Sequence, residues 1–232
     1  MARGKQLLSL IAQLRAETGR SQDVSVGVDE SENLKEILRR TQETLYDDYE
    51  WPHLRVQKVI TLNAGQRYYD LPTELNYDRI QQVKLKYNST YVDVERGIRF
   101  EDYSTYDSNA TPPERSFPTL KWDVRHTGVR EQLEVWPVPN QGASLYMFGT
   151  KKLADLIEEE DVAELDDRMV VLFAASELLL RQKSSDAKLK LSLAERRLAM
   201  LRRNSQADSK MIQVGLGNRQ QLDRSRTRVI VS

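Results

Sequence analysis

Residues 165–180 read LDDRMVVLFAASELLL, and this stretch decides the fold class. Leu165, Met169, Leu172, Phe173, Ser176, Leu179 and Leu180 recur at three-to-four spacing, the period of an α-helix. Val170, Val171, Ala174, Ala175 and Leu178 carry apolar character round most of the circumference, so this helix has to be covered on several sides. Leu189, Leu191, Leu193, Leu198 and Leu201 mark a further helix after Lys183-Ser184-Ser185-Asp186, with Ser185 or Asp186 as its cap. The two helices pack as an αα-hairpin. Upstream, Leu34, Ile37, Leu38, Thr41, Leu45 and Tyr49 line one face of a helix over Ser31 to Trp51, with Ser31 at its N-cap and Pro52 as its stop. That helix completes a bundle. A shorter one runs from about Lys5 to Thr18, ahead of Gly19.

Between the helical runs the period changes from near four to two. Val56, Lys58, Ile60 and Leu62 alternate with Gln57, Val59 and Thr61, and Asn63-Ala64-Gly65 then supplies a turn. Arg67 to Leu71 forms a second strand closed by Pro72, and a loop follows over Thr73 to Asp78. Val83, Leu85 and Tyr87 pair as a hairpin with Tyr91 to Glu95 through Asn88-Ser89-Thr90. Phe100 to Pro118 is a long polar loop with Pro112-Pro113 at its centre, and a loop of that length is functional or mobile. Leu120-Trp122-Val124, Leu133-Val135-Pro137 and Leu145-Met147-Gly149 resume the alternation. The expected class is α+β: an α-helical bundle with an inserted small antiparallel β-sandwich or barrel module and an extended C-terminal tail. The expected divisions are 1–54 for the N-terminal helices, 55–152 for the β module, 153–204 for the helix hairpin and 205–232 for the tail.

Composition excludes several classes. The 232 residues contain 35 basic and 35 acidic side chains, so the chain as a whole is neither a polycation for nucleic acid nor an acidic tail. With no Cys, disulfides, thiolate metal sites and a cysteine nucleophile are out. No apolar run approaches the roughly 20 residues needed to cross a bilayer, so no membrane partner is expected. Gln6, Ser9, Gln13 and Arg15 interrupt the N-terminal leucines at helical spacing, which reads as an amphipathic helix of a soluble, intracellularly made protein and not as a signal peptide. The charges are unevenly placed. Asp155 to Asp167 holds eight acids and no base, whereas Arg168 to Ser232 holds 14 Lys or Arg against five acids. Acids before a helix and bases at its end complement the helix dipole, but Arg219, Arg224, Arg226 and Arg228 lie beyond any helix.

The residues most catalysis needs are missing. His53 and His126 have no carboxylates at metal or triad spacing. Asp47, Asp48 and Glu50 read as a solvated helix end, and Glu158-Glu159-Glu160-Asp161 lacks the alternating ligands and glycine of a calcium loop. Tyr68, Tyr69, Tyr87 and Tyr91 beside Arg67, Lys84 and Lys86 could imitate a base-stacking face, but read more simply as cross-strand packing. The C-terminal run ending Arg228-Val229-Ile230-Val231 can add as a strand to another subunit's sheet edge. The composition points to a structural part with no catalytic residues and no cofactor.

The order of these features resembles the head-to-tail adaptor (connector, or gatekeeper-ring) proteins of tailed bacteriophages. The matching stretches are the helix end Leu45 to Leu54, the strand-turn-strand Val59 to Pro72, Leu133 to Pro139, and the helix pair opening at Leu165-Asp166-Asp167 with Ala174 to Leu179 at its heart. The resemblance implies a homo-oligomeric ring, commonly of twelve copies, in the neck of the virion. It implies docking on the portal protein, a link to the next tail component (a nozzle or tail completion protein), and non-specific proximity to genomic DNA. The helical bundle would form the ring wall and the β module would face the tail. On this reading Arg219, Arg224, Arg226, Arg228, Val229, Ile230 and Val231 dock on the portal. Met169, Leu172, Phe173 and Leu179 pack the ring, and Tyr103, Tyr106, Pro112 and Pro113 contact the tail side. Two rival readings are a nucleic-acid-binding protein using the basic C-terminal third and a tail component binding host carbohydrate through the β module.

Overall fold

The computed structural model, which describes residues 3–21, 28–105, 117–205, 213–214 and 220–221, contains a set of packed helices and a seven-stranded sheet. The order is α1 (Leu7–Glu17), α2 (Val28–Asp47), β1 (Arg55–Leu62), β2 (Tyr68–Asp70), β3 (Leu75–Tyr87), β4 (Thr90–Arg96) and α3 (Phe100–Thr105). It continues with β5 (Lys121–His126), β6 (Glu131–Trp136), β7 (Ala143–Lys151), α4 (Asp167–Arg181) and α5 (Asp186–Ser205). A two-residue antiparallel pair, Gln213–Val214 with Gln220–Gln221, lies in the tail. The fold class is the expected α+β. The chain divides into a helical unit, Met1–Tyr49 with Ala154–Ser232, and a β unit, Glu50–Leu153. The β unit takes in Glu50 because its carboxylate binds Gln81 and lies beside Arg55.

In the helical unit α4 is the central rod. Met169, Val170, Val171, Leu172, Ala174, Ala175, Leu178 and Leu179 are all buried. Three helices of the same chain cover them, since α1, α2 and α5 each pack on α4. Helix α1 contributes Leu7, Leu10, Ile11 and Leu14, and α2 contributes Leu34, Ile37, Leu38, Leu45 and Tyr46. Ala187, Ala194 and Leu201, seven residues apart on α5, are likewise buried. Two boundaries differ from expectation. Helix α2 begins at Val28, which puts Ser31 inside the helix, and it stops at Asp47, not Trp51. Trp51 is already extended (φ −77°, ψ 114°), the conformation a following proline enforces.

The turn between α4 and α5 is closed by backbone geometry. Lys183 takes a left-handed φ of 56°, so that its N–H reaches the Leu180 carbonyl (3.0 Å) and the Ser184 N–H reaches that of Leu179 (3.0 Å). Ser184, one residue earlier than expected, then accepts the Asp186 N–H on its hydroxyl (3.3 Å) and opens α5.

The sheet order in the β unit is β1-β7-β3-β4-β5-β6-β2. All pairs are antiparallel except β4–β5, which run parallel over two residue pairs. β1 and β2 are therefore not a hairpin; they are the two edges. A flat sheet would hold those edges about 29 Å apart. The chain from Leu62 to Tyr68 can span at most about 22 Å. The sheet has to curl, and it forms a half-barrel. Tyr69 fastens the closure: its hydroxyl accepts the Asn63 N–H (3.0 Å) and lies within 2.9 Å of the Gln66 carbonyl. Every strand feeds the enclosed core, which contains Leu62, Tyr69, Leu85, Val94, Trp122, Leu133 and Met147.

Parts of two stretches expected as loop form regular structure. Leu75, within Thr73 to Asp78, starts β3 and is buried opposite Lys151. Phe100 opens α3, whereas Tyr106, Pro112 and Pro113 lie outside the described residues. The register of β3 on β7 shifts on both sides of Ile80, and Gly149 lies against this irregularity. A Cβ on Gly149 would meet the Arg79 carbonyl oxygen at 2.9 Å and the Ile80 Cα at 3.2 Å. Gly149→Ala should therefore destabilise the β unit by about 1–3 kcal/mol, read by urea denaturation. Parent-like stability would show that the bulge yields freely.

Candidate functional site

The N-terminus of α4 is where the helical unit is tied together. Asp166, 1 % exposed, caps α4 by accepting the Met169 N–H on Oδ1 (3.0 Å). The same carboxylate receives Arg197 from α5, with Nε at 3.1 Å from Oδ1 and a terminal nitrogen at 2.7 Å from Oδ2. The chain before α1 pairs alongside, through bridges Arg3↔Asp166 and Gln6↔Val162. Gln6 provides no side-chain cap for α1. The Asp161 and Glu159 carbonyls accept the Leu7 and Leu8 N–H groups instead, at 2.8 and 3.1 Å. Gln42, also buried, clamps the incoming strand by accepting the Glu164 N–H (3.2 Å). Of the eight acids between Asp155 and Asp167, only Asp166 and Asp167 serve the α4 terminus; the others belong to the preceding loop.

Asp167 is as buried as Asp166 but poorly served. Its Oδ1 has the Lys5 N–H at 3.4 Å, and its Oδ2 has no hydrogen-bond partner among the described residues. Burial, reinforced by Asp166 and only partly offset by the Lys5 backbone, pushes its pKa above the usual Asp range.

Two grooves border α5. The first, of about 520 Å³ between α4 and α5, has Leu172, Leu193 and Met200 in its floor and Arg168, Arg196, Arg197 and Arg203 along it, with no acid in its lining among the described residues. Arg197 is committed to Asp166, whereas exposed Arg168, Arg196 and Arg203 have no acidic partner among the described residues. The second groove, of about 550 Å³, lies between α2, α4 and α5. Its apolar lining includes Leu180 and Leu191, which are 67 % and 41 % exposed. Its rim carries Glu177, bonded to Arg40 and to Arg181. Among the residues expected to pack a ring, Met169, Leu172 and Leu179 are buried among the chain's own helices. Phe173 is half-buried at the second groove. The sequence pattern could not distinguish neighbouring helices from neighbouring copies as the source of cover.

In the β unit the polar cluster is internal. Glu134, 4 % exposed, accepts Arg67 Nε and the Tyr103 hydroxyl, both at 2.7 Å. The Arg67 guanidinium lies 4.6 Å from the Tyr103 ring centre and 5.0 Å from that of Trp136. Tyr103 is thus anchored into the sheet by ring and hydroxyl. The tyrosines make no single stacking platform. Tyr69 is buried, Tyr68 is bonded to Arg125, Tyr91 packs edge-on against Tyr146, and Tyr87 packs on Phe117. His53 packs beside Trp51, and His126 lies 3.4 Å from Glu131. Arg219, Arg224, Arg226, Arg228, Val229, Ile230 and Val231 lie outside the described residues.

Sequence reasoning missed the Arg168–Arg196–Arg203 alignment. It pooled the C-terminal bases into one total, although the seven-residue spacing of Arg196 and Arg203 already places them on one helical face.

The described residues thus form helices packed round one apolar rod and, as a separate unit, a half-barrel sheet. The model of the SU10 adaptor protein family matches residues 5–228, nearly the whole chain. The chain belongs to the SU10 adaptor protein family, a family of phage head-to-tail adaptors. No curated protein matches the sequence.

Two outcomes test the α4 terminus. Arg197→Met strands a buried carboxylate and should cost about 3 kcal/mol. Adding Asp166→Asn, which keeps a cap and removes the charge, should recover part of that loss in urea denaturation. For Asp167 the sign follows from the raised pKa. The folded state holds this proton more tightly than the unfolded chain, so stability falls as pH rises from the ordinary Asp range through the folded value. Asp167→Asn should melt above the parent at pH 7 and level with it near pH 3, measured as Tm against pH.

Proposed function

We propose that the chain is a non-catalytic ring subunit of the virion neck, made in the host cytoplasm and assembled between portal and tail. In this reading copies close into a ring, twelve as is common for such adaptors, with the helical unit in the wall around the DNA exit path. The β unit faces the next tail component, a nozzle or tail completion protein. Membership of an adaptor family over residues 5–228 carries the proposal. Exposed Leu180 and Leu191 along an apolar groove, and Arg168, Arg196 and Arg203 along the other, without acidic partners among the described residues, support it by leaving the hairpin surface for partners after the chain's own core is complete. Zero net charge allows many copies to pack closely and does not hold DNA so strongly that its exit stalls.

The docking element in this reading is Arg219 to Val231, adding to the portal as an extended strand with its arginines on acidic or polar surface. The stretch with Tyr106, Pro112 and Pro113 meets the tail side. Contact with genomic DNA is proximity without sequence readout. Deleting everything after Asn218 should leave Tm unchanged and abolish joining to portal-bearing heads in a sedimentation assay. Normal joining by the shortened chain would reject the docking role.

A further inference from the structure

The first groove and the acidic loop before α4 are opposites in shape and charge, carried by the same chain. The groove presents three guanidinium groups without an acidic partner among the described residues, from Arg168, Arg196 and Arg203, over an apolar floor that includes Leu193 and Met200. The loop presents exposed Asp155, Glu158, Glu159 and Glu160 around Ile157, which is 58 % exposed. No residue of this loop lines the groove, so within one chain the two surfaces do not satisfy each other there. The loop is also preformed. Asp161 accepts the Ile157 and Glu158 N–H groups on one carboxylate oxygen, both at 2.7 Å, and the Leu156 side chain is buried beneath. It offers a fixed apolar tip with an acidic collar, and little ordering cost would be added on docking.

We propose that the acidic loop of one copy seats in the arginine groove of the next, with Ile157 on the Leu193–Met200 floor and the loop carboxylates against Arg168, Arg196 and Arg203. This rests on the ring reading and names its subunit contact. The contact joins two different patches, so it is head-to-tail, the type of contact that generates a ring when its rotation closes. The chain's zero net charge fits a self-complementary assembly, because each copy contributes both the acid and the base. Duplex DNA is the rival occupant. It would satisfy the arginines but leave the apolar floor and the exposed Ile157 without a partner.

The absence of Cys allows a clean test. The full chain carrying Ile157→Cys and Met200→Cys, treated with a mild oxidant at high concentration and in assembled necks, should give a ladder of covalent oligomers. Either single substitution should stop at dimers or below. Arg196→Glu with Arg203→Glu should weaken association by about tenfold or more through like-charge opposition. Adding Asp155→Arg and Glu160→Arg should restore it, with Tm tracked throughout as a folding control. Rings visible by electron microscopy that give no ladder and ignore the charge reversals would overturn this interface and leave the ring reading standing. Absence of multimers in both solution and necks would overturn both. Salt-sensitive duplex binding lost in the Arg196→Glu, Arg203→Glu variant, with association unchanged, would assign the groove to nucleic acid and reject the proposal.

Discussion

A helix apolar on nearly every side has to be enclosed, and the rest of the helical unit follows from enclosing α4. Burying a Leu, Val or Met side chain is worth about 1.5–3 kcal/mol, and α4 buries eight apolar side chains. No single helix can cover so wide a surface, so α1, α2 and α5 surround it. That arrangement brings the α4 N-terminus under the chain leading into α1 and beside α5. One carboxylate, Asp166, then serves both as cap and as anchor for Arg197. The capping position is set by the helix, and the ion pair is set by the packing around it.

Magnitudes separate the ion pairs that hold the fold from those that decorate it. Arg39 with Glu36 and Arg181 with Glu177 are exposed helix pairs, worth about 0–1 kcal/mol each and weakened further by salt. Arg197–Asp166 and Arg67–Glu134 have one partner almost wholly buried. Breaking either leaves a charge without water, a far larger cost. The β unit depends on its pair in a different way. Arg67, stacked on Tyr103 and Trp136, leads into β2, the edge that has to curl round towards β1. Arg168, Arg196 and Arg203 of the first groove belong to neither class, being exposed and without an acidic partner among the described residues.

Much of this architecture is legible in the residues. The periods of three to four and of two separate bundle from sheet. Gly19, Asn88-Ser89-Thr90 and Lys183-Ser184 mark turns where the chain does turn. Other features are long-range and leave no local mark. Nothing near Asn63-Ala64-Gly65 tells that β1 and β2 are opposite edges, because their partners, β7 and β6, lie more than 60 residues away. The source of the cover of α4 is long-range in the same way. Periodicity reports that Met169, Leu172 and Leu179 need neighbours and does not say whose. Among the expected partner surfaces, Tyr103 proves to be tied down by Glu134, an acid within an alternating strand pattern whose burial only the fold reveals.

With α4 enclosed by its own chain, the proposed ring would depend on surfaces outside the core meeting in the particle. Cryo-electron microscopy of the intact neck measures this directly. The account predicts a closed ring between portal and tail in which each copy keeps α4 covered by its own α1, α2 and α5 and touches its neighbours only through groove and loop surfaces. A neck without this chain, or one in which α4 is uncovered and shared between copies, would contradict it.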